Sequence, residues 1–203
     1  MENANQNYNL KTKDETGYWR TNNEVFFVDT KIKNADPKTF YFFNNTVFAV
    51  DKNRAYARDM NLHGVDLSTF TPIAGSFAKD KSHVYYWHNT INGADVKSFK
   101  VIDAENAYSR DQSYLYSGHL KVDQVDPDTF QYLDSGIIKD NKAVYSLSKS
   151  QDAIKITTLH TADPKTLVAL GWRYFKDINT VFVVTFEVRC ALYLERMRIV
   201  FKF

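Results

Sequence analysis

Hydrophobic and polar positions recur along this chain in a unit of about 30 residues. Each unit has a polar turn residue, and these are Thr21, Asp51, Asp80, Asp111, Asp140 and Asp177. A large apolar side chain stands three residues before each turn residue, at Tyr18, Phe48, Phe77, Tyr108, Ile137 and Tyr174. An aromatic one comes five residues after it, at Phe26, Tyr56, Tyr85, Tyr116, Tyr145 and Phe182. Short apolar runs on both sides of a polar step predict two strands joined by a loop of about four residues.

A second motif, which we name the Asp phrase, lies between successive turns. It opens at Asp36, Asp66, Asp95, Asp126 and Asp163, with spacings of 30, 29, 31 and 37 residues. In each phrase Thr or Ser comes three residues after the Asp, and Phe or Leu follows directly. Asp is a favoured N-cap and Pro, present in three of the phrases, suits the first helical position. The phrase therefore predicts one helical turn per unit, with its Phe or Leu in the core.

A self-similar unit of this length is typical of a stacked array. We expect a mainly β repeat array of about five and a half hairpin units, each with a further short strand and one helical turn. An open twisted array or solenoid is the preferred form. The alternative is a small propeller-like closure, for which about 30 residues is short for a blade of four strands. Residues 1–14 form a polar tail, residues 15–182 the β-repeat domain, and residues 183–203 capping strands packed on that domain.

Two segments depart from the period. The turn and phrase Asp residues are 15 apart in three units but 23 apart between Asp140 and Asp163. The extra residues fall in the polar stretch 146–153, which predicts a surface loop, either a tolerated insertion or a partner contact. Beyond Cys190 most alternate positions are apolar, which predicts a strand with one buried face. That strand would cover the open end of the array or receive a partner by strand addition.

Three hairpins have closely similar sequences, residues 50–56 (Val-Asp-Lys-Asn-Arg-Ala-Tyr), 79–86 (Lys-Asp-Lys-Ser-His-Val-Tyr-Tyr) and 139–145 (Lys-Asp-Asn-Lys-Ala-Val-Tyr). They resemble the bacterial DKNYY repeat family. The resemblance extends over residues 18–182. It implies a bacterial protein, often exported or lipid-anchored, from a family without an established catalytic site. Some members resemble immunity proteins encoded beside secreted toxins, and the resemblance assigns no catalytic residue to this chain.

Charge and cysteine content change this picture little. The net charge of +2 comes from 26 basic and 24 acidic residues, so no strong field favours nucleic acid or an anionic membrane. A single cysteine, Cys190, cannot form an intrachain disulfide. The first eight residues have no apolar region, so we expect no signal peptide in the chain as given. No stretch has the apolar length that a membrane span needs, so we expect no span. The compartment is the periplasm or cell envelope if a leader has been removed, and otherwise the cytoplasm.

Candidate catalytic and metal sites are weak. Eight residues after their turns come His88 and His119, which stacking of the units would bring near each other as possible metal ligands. The ligand spacing typical of zinc sites is absent, and polar residues at strand tips are ordinarily solvated. We find no glycine-rich phosphate loop and no nucleophile elbow. We therefore expect no enzyme activity, no metal and no cofactor.

The best candidate sites are for binding another protein. Tyr86 and Trp87 lie beside the core columns, and aromatic side chains in a line are used in protein and glycan recognition. In the inserted stretch, the candidates are Ser148, Lys149, Gln151 and Asp152. The sequence thus indicates a non-enzymatic protein-binding repeat protein, in its most concrete form an immunity protein that neutralises a bacterial toxin. The alternative is an exported envelope protein, or lipoprotein, that binds glycan or cell-wall material.

Overall fold

A computed structural model describes residues 17–150, 152–189 and 192–199, with the backbone alone from residue 185 onward. The chain divides into two compact units. One unit consists of the residues up to Gln112 together with Tyr116–His119. The other consists of Ser113–Leu115 and the residues from Leu120 on. The described residues contain strands and turns, and none of them forms a helix long and apolar enough to cross a membrane.

The strands of the described residues form six antiparallel sheets, one for each turn residue, and none of these sheets closes on itself. The first sheet consists of β1 (Tyr18–Arg20), β2 (Val25–Phe27) and β3 (Thr30–Lys31). The second consists of β4 (Tyr41–Phe42), β5 (Phe48–Val50), β6 (Ala55–Ala57) and β7 (Met60–Asn61). The third consists of β8 (Thr71–Ala74), β9 (Phe77–Lys79), β10 (Val84–Tyr86) and β11 (Asn89–Thr90).

The remaining three sheets follow the same order of strands. The fourth consists of β12 (Lys100–Asp103), β13 (Tyr108–Arg110), β14 (Leu115–Ser117) and β15 (Leu120–Val122). The fifth consists of β16 (Gln131–Asp134), β17 (Ile137–Lys139), β18 (Val144–Lys149) and β19 (Ile154–Thr158). The sixth consists of β20 (Val168–Gly171), β21 (Tyr174–Lys176), β22 (Val181–Arg189) and β23 (Leu192–Ile199).

The predicted hairpins are confirmed. In the second sheet β5 pairs with β6 across a four-residue turn, with Phe48 opposite Ala57 and Val50 opposite Ala55. The number of strands was underestimated, because five of the six sheets have four strands where the sequence predicted a hairpin and one more. The additional strands are only two to four residues long in the second to fourth sheets, too short to show an alternating pattern.

The Asp phrase forms a turn, and the predicted helical turn is not present in the described residues. The Thr39 amide donates to the Asp36 carbonyl at 3.2 Å, as in a turn. The Asp36 carboxylate accepts from the Lys38 amide at 3.0 Å, so the capping role of the Asp is confirmed. The phrase does not extend into a helix because the chain enters the next strand directly after it, at Tyr41 in this unit.

The inserted residues of the fifth unit lengthen a hairpin. The prediction of a surface loop over residues 146–153 is wrong for its first half, since β18 continues to Lys149 and pairs with β19. Ser146 and Leu147 are buried. The Ser150 amide closes the hairpin by donating to the Ala153 carbonyl at 2.9 Å. Eight extra residues fit a longer hairpin because each added pair satisfies its own backbone groups.

The C-terminal alternation predicted a strand, and β23 confirms it. Its backbone pairs with β22 from Phe182 opposite Ile199 to Arg189 opposite Leu192. β23 is the outer strand of the sixth sheet. The face that it buries involves side chains outside the described residues, so its capping role stays a prediction.

Candidate functional site

The turn Asp residues, which give the hairpins their signature, are tied into a buried hydrogen-bond cluster that we name the clasp. In the third sheet, Oδ1 of Asp80 accepts from the amides of Ser82 and His83, each at 2.7 Å. Oδ2 of Asp80 accepts from the hydroxyl of Tyr85 at 2.8 Å and from the amide of Asp66 at 2.9 Å. One carboxylate therefore closes the turn, anchors the aromatic column and holds the preceding Asp phrase.

The clasp recurs from sheet to sheet. The amides of Asp36, Asp95, Asp126 and Asp163 donate in the same way to the turn Asp of their unit, at 2.9–3.0 Å. The tyrosine bond is also made in the second, fourth and fifth sheets by Tyr56, Tyr116 and Tyr145. In the sixth sheet Phe182 replaces the tyrosine, so Asp177 keeps its amide donors but receives no hydroxyl from that position.

The clasp shifts the pKa of its members. Burial opposes ionisation of Asp80, but the donated hydrogen bonds from Asp66, Ser82 and Tyr85 outweigh it and hold the pKa of the Asp80 carboxyl below its usual value. The pKa of Asp140 is lowered for the same reasons. Burial, and then the bond to Asp140, raises the pKa of Tyr145 to about 12. A charged carboxylate and a neutral tyrosine are thus the stable pair, and they serve the fold.

The apolar residue three positions before each turn is covered by the following Asp phrase. The ring of Tyr18 lies 5.6 Å from that of Phe40, and the ring of Phe48 lies 5.8 Å from that of Phe70. Phe77 lies 6.1 Å from Phe99. In the second compact unit, Ile137 packs in one cluster with Leu167. Each unit therefore supplies half of a core contact and the next phrase supplies the other half.

The sixth unit breaks this rule. Tyr18, Phe48, Phe77, Tyr108 and Ile137 are at most 1% exposed, whereas Tyr174 is 47% exposed. No further Asp phrase comes after Tyr174 in this chain. The same sheet and its turns carry further exposed apolar side chains, and we name the whole set the apolar patch: Val168, Leu170, Trp172, Tyr174 and Ile178. Trp172 is 94% exposed and Ile178 is 74% exposed, which is unusual for such large apolar groups.

At the positions of Trp172 and Ile178 the other units have polar or small residues. Trp172 stands five residues before its turn, where the other units have Thr16, Thr46, Gly75, Asn106 and Ser135. Ile178 follows its turn residue directly, where the others have Asn22, Lys52, Lys81, Gln112 and Asn141. Val168 pairs with the basic residue before the turn, where the three preceding sheets have Thr71, Lys100 and Gln131. The exposed side chains of Trp172 and Ile178 are therefore a property of the sixth unit, whereas Leu170 follows the repeat, which has Ile73 and Ile102 exposed at the same position.

Cationic side chains flank the apolar patch. Lys176 lies opposite Val168 in the sheet, and Arg173 follows Trp172 at the tip of the hairpin. Lys165 is three residues before Val168, and all three cations are exposed. Residues 163–178 contain two carboxylates. Asp177 is buried, and Asp163 accepts from the Thr166 hydroxyl at 2.7 Å. The patch is apolar with a positively charged rim.

The predicted binding residues Tyr86 and Trp87 lie at the end of β10 and directly after it. Both are half-buried, and Tyr86 packs against the core of the third sheet. A side chain at Gly118 would come within 3.0 Å of the Tyr86 ring, so the glycine makes room for it. The guanidinium carbon of Arg58 lies 4.0 Å from the centre of the Trp87 ring and 5.7 Å from that of Phe27. Tyr86 and Trp87 thus form a second layer over the core, with the Arg58 guanidinium group on the Trp87 ring.

The other predicted residues lie at the end of the long hairpin of the fifth sheet. Ser148 is half-buried, and Lys149 and Asp152 are exposed. Partial desolvation of the Lys149 ammonium group lowers its pKa. Gln151 lies outside the described residues. These residues stay a predicted contact, and the apolar patch is not among the sites predicted from the sequence.

Further polar side chains make contacts within the repeat. Of the basic residues directly before the turns, Arg20 donates to the Pro37 carbonyl, and Lys139 donates to the carbonyls of Pro164 and Leu167, at 2.9 and 2.8 Å. They hold the following Asp phrase. His88 and His119 are both half-buried. Among the described residues no group of three or more His, Cys, Asp or Glu side chains is arranged to hold a metal ion.

A protein-family model matches the part of the chain that contains these hairpins. The model of the DKNYY family matches residues 18–149 and 48–185 in two overlapping alignments. The chain belongs to the DKNYY family. Membership in this repeat family suggests a protein-binding role. No curated protein and no solved structure is significantly similar to the chain.

Proposed function

We propose that this DKNYY protein is a non-enzymatic binding protein, and that the apolar patch of its sixth sheet contacts the partner. The observation that carries the proposal is the exposure of Trp172, Tyr174 and Ile178 at positions that are polar or buried in the other units. Large apolar groups on a monomer surface are unfavourable unless a partner covers them. The repeat therefore forms the scaffold, and one altered unit provides the contact.

The composition of the patch is typical of the centre of a protein interface. Trp and Tyr are enriched among the side chains that contribute most of the binding energy, and Trp172 and Tyr174 belong to one hairpin, two residues apart. The positive rim from Arg173 and Lys176 favours a partner with carboxylates around an apolar centre. A binding role also fits the clasp, whose titratable groups are occupied by structural hydrogen bonds.

In its most specific form the proposal is that the chain acts as an immunity or inhibitor protein for a bacterial toxin. A small toxin with an acidic, partly apolar surface is the partner that the patch and its rim would match. Neutralisation requires only that the bound chain cover the active region of the toxin. No catalytic group is needed in the inhibitor.

The test uses the chain's own units as a guide. A double variant, Trp172→Gly with Ile178→Lys, introduces the residues that the third unit carries at these positions, Gly75 and Lys81. The matched control is Ile102→Lys, which replaces an exposed apolar side chain of the fourth sheet. Each form is co-expressed in bacteria with the toxic protein encoded beside its gene. We expect wild type and control to restore growth and the double variant to fail.

The folding of each variant is checked by its free energy of unfolding, so that loss of growth rescue is not loss of the protein. The proposal is wrong if the folded double variant restores growth as well as wild type. If no neighbouring gene encodes a toxin, the toxin form of the proposal fails. The broader proposal is then tested by comparing wild type and double variant for a stoichiometric partner from the native cell.

A second candidate function is the binding of glycan or cell-wall material by an exported envelope protein. The observation that favours it is the exposure of the Trp172 ring beside Tyr174, since flat exposed rings stack on sugar rings. Isothermal titration with peptidoglycan fragments distinguishes the two. Saturable binding that Trp172→Phe retains and Trp172→Gly loses would support the glycan function, and absence of binding to wild type would exclude it.

A further inference from the structure

The structure contains its own examples of what covers the position of Tyr174. In the first three units the aromatic ring before the turn meets a Phe that ends the following Asp phrase, namely Phe40, Phe70 and Phe99. The two rings of each pair are 22 residues apart in the sequence in all three cases. In the fifth unit Ile137 meets Leu167 in the same role. The occupant of this position is thus an aromatic or large aliphatic side chain from one turn.

The same phrase also accepts hydrogen bonds from the basic residue before the turn. Arg20 donates to the Pro37 carbonyl, and Lys139 donates to the carbonyls of Pro164 and Leu167. Lys176 occupies this position in the sixth unit. Its side chain is exposed and makes no hydrogen bond or ion pair with the described residues. The sixth unit therefore presents both the apolar half and the donor half of a contact that is complete elsewhere in the chain.

We propose that the apolar patch binds a turn segment of a partner protein that imitates an Asp phrase. Its Phe or Leu side chain packs on Tyr174, and its backbone carbonyl oxygens accept hydrogen bonds from Lys176. The inference rests on the proposed function, because it names the chemistry of the partner at the same surface. The segment takes the place that the next unit would occupy in the array.

Val168 and Trp172 explain why this surface is suited to a separate chain. At the position of Val168, the third to fifth sheets have the polar residues Thr71, Lys100 and Gln131. Additional apolar contact beside Tyr174 compensates for the loss of freedom when two chains associate, a cost that covalently linked units do not have. The rim of Lys165, Arg173 and Lys176 favours a segment whose flanking residues are acidic.

The probe for the experiment is taken from the chain itself. A peptide of residues 62–72 contains the Asp66 phrase, whose Phe70 packs on Phe48 in the folded protein. It is titrated to millimolar concentration into the ¹⁵N-labelled full chain. The chain has three tryptophans, Trp19, Trp87 and Trp172, whose indole N–H signals report three separate places. The matched control peptide carries Phe70→Ala.

We expect a saturable shift of the Trp172 indole signal, with those of Trp19 and Trp87 unchanged. The Phe70→Ala peptide and the protein variant Tyr174→Ala should each weaken binding by about tenfold or more. Lys176→Met should weaken it less, because the methylene stem is kept and only the donor is lost. Tyr174→Phe keeps the ring, and it should retain binding if the contact is the apolar one proposed.

The inference is overturned if the peptide produces no saturable shift of Trp172, or if the Phe70→Ala peptide shifts it equally. It is also overturned if the Trp172 signal moves with the concentration of the chain alone, since a second copy would then be the occupant. If the peptide does not bind, but the double variant Trp172→Gly with Ile178→Lys loses growth rescue, the proposed function stands. In that case only the imitation of the Asp phrase would be wrong.

Discussion

The third and sixth hairpins share a local design but have opposite surfaces. Both have a buried turn Asp that accepts from the amide of the preceding phrase, at 2.9 Å in each. Yet Phe77 in the third is 0% exposed, and Tyr174 at the same position in the sixth is 47% exposed. The hairpin itself does not decide the burial of this side chain. The following Asp phrase does, which is why the same position can be core in one unit and binding surface in another.

The largest expected difference between the two hairpins is in stability. Phe77→Ala should lower the free energy of unfolding by about 3–5 kcal/mol, because a fully buried ring is lost and a cavity is left. Tyr174→Ala should cost less than about 1 kcal/mol, as expected for a surface position. Urea denaturation of the two variants measures both values. Equal costs would mean that Tyr174 is part of a core, and the comparison would fail.

A smaller effect is expected from the tyrosine of the clasp. Tyr85→Phe removes the hydroxyl that donates to Asp80 at 2.8 Å, a bond to a charged group worth about 1.5–3 kcal/mol. The sixth hairpin naturally has Phe182 there, so its clasp already lacks this bond. The control is Tyr174→Phe, which should leave the free energy of unfolding nearly unchanged. A negligible cost for Tyr85→Phe would show that the clasp is held by its amide donors alone.

The clasp also predicts a pH dependence of stability. The pKa of Asp80 and Asp140 is lowered in the folded protein, so their contribution is present above the ordinary value of 3.8 and is lost as the pH falls through the folded pKa. The pKa of Tyr145 is raised to about 12, so its contribution is present below its ordinary value of 10.0 and is lost as the pH rises toward 12.

Thermal unfolding at a series of pH values measures this dependence. We expect a stable plateau between the two limits and a fall on each side. Tyr145→Phe should lower the plateau and reduce the fall on the alkaline side, and it should also reduce the fall on the acid side, because Asp140 loses one of the bonds that lower its pKa. An alkaline fall of the same size in wild type and Tyr145→Phe would contradict the role given to this hydroxyl.

The smallest stability effect is expected from returning the patch to the polar pattern of the other units. Val168→Thr, with the residue of the third sheet at that position, should change the free energy of unfolding by no more than about 0.5 kcal/mol. It should weaken partner binding, since it removes apolar area at the interface. Denaturation and a binding titration on the same sample separate the two effects. A large loss of stability would place Val168 in the core.

Much of the fold could be predicted from the sequence because the repeat is written in local signals. The aromatic columns at Tyr56 and Tyr85 and the turn Asp residues gave the hairpins and their loop length. The short outer strands were missed because two residues, as in Thr30–Lys31, cannot show a period of two. The predicted helical turn is not shown, because capping chemistry at Asp36 suits a turn as well as a helix and the next strand begins at Tyr41.

The candidate site was harder to predict. Tyr86 and Trp87 are aromatic residues beside the core, which is why they are predicted as binding residues. In the structure Gly118 lies against Tyr86 and Arg58 lies over Trp87, and the sequence does not show these contacts because both residues belong to other units. The apolar patch, by contrast, left a readable signal. Trp172 and Ile178 are the apolar exceptions at two positions that are polar or small in every other unit. The sequence does not show that the following Asp phrase buries the apolar residue before each turn. The exposure of Tyr174 could therefore not be predicted from it.

The most direct test of the central claim is the hydrogen exchange of the three indole N–H groups in the free protein, measured in one NMR experiment. The account predicts that Trp172, which is 94% exposed, exchanges at the rate of a free indole. The indole nitrogen of Trp87 is buried, so its proton should exchange far more slowly. Protection of Trp172 comparable to that of Trp87 would contradict the account, because the sixth unit would then be covered within the chain and would offer no open surface to a partner.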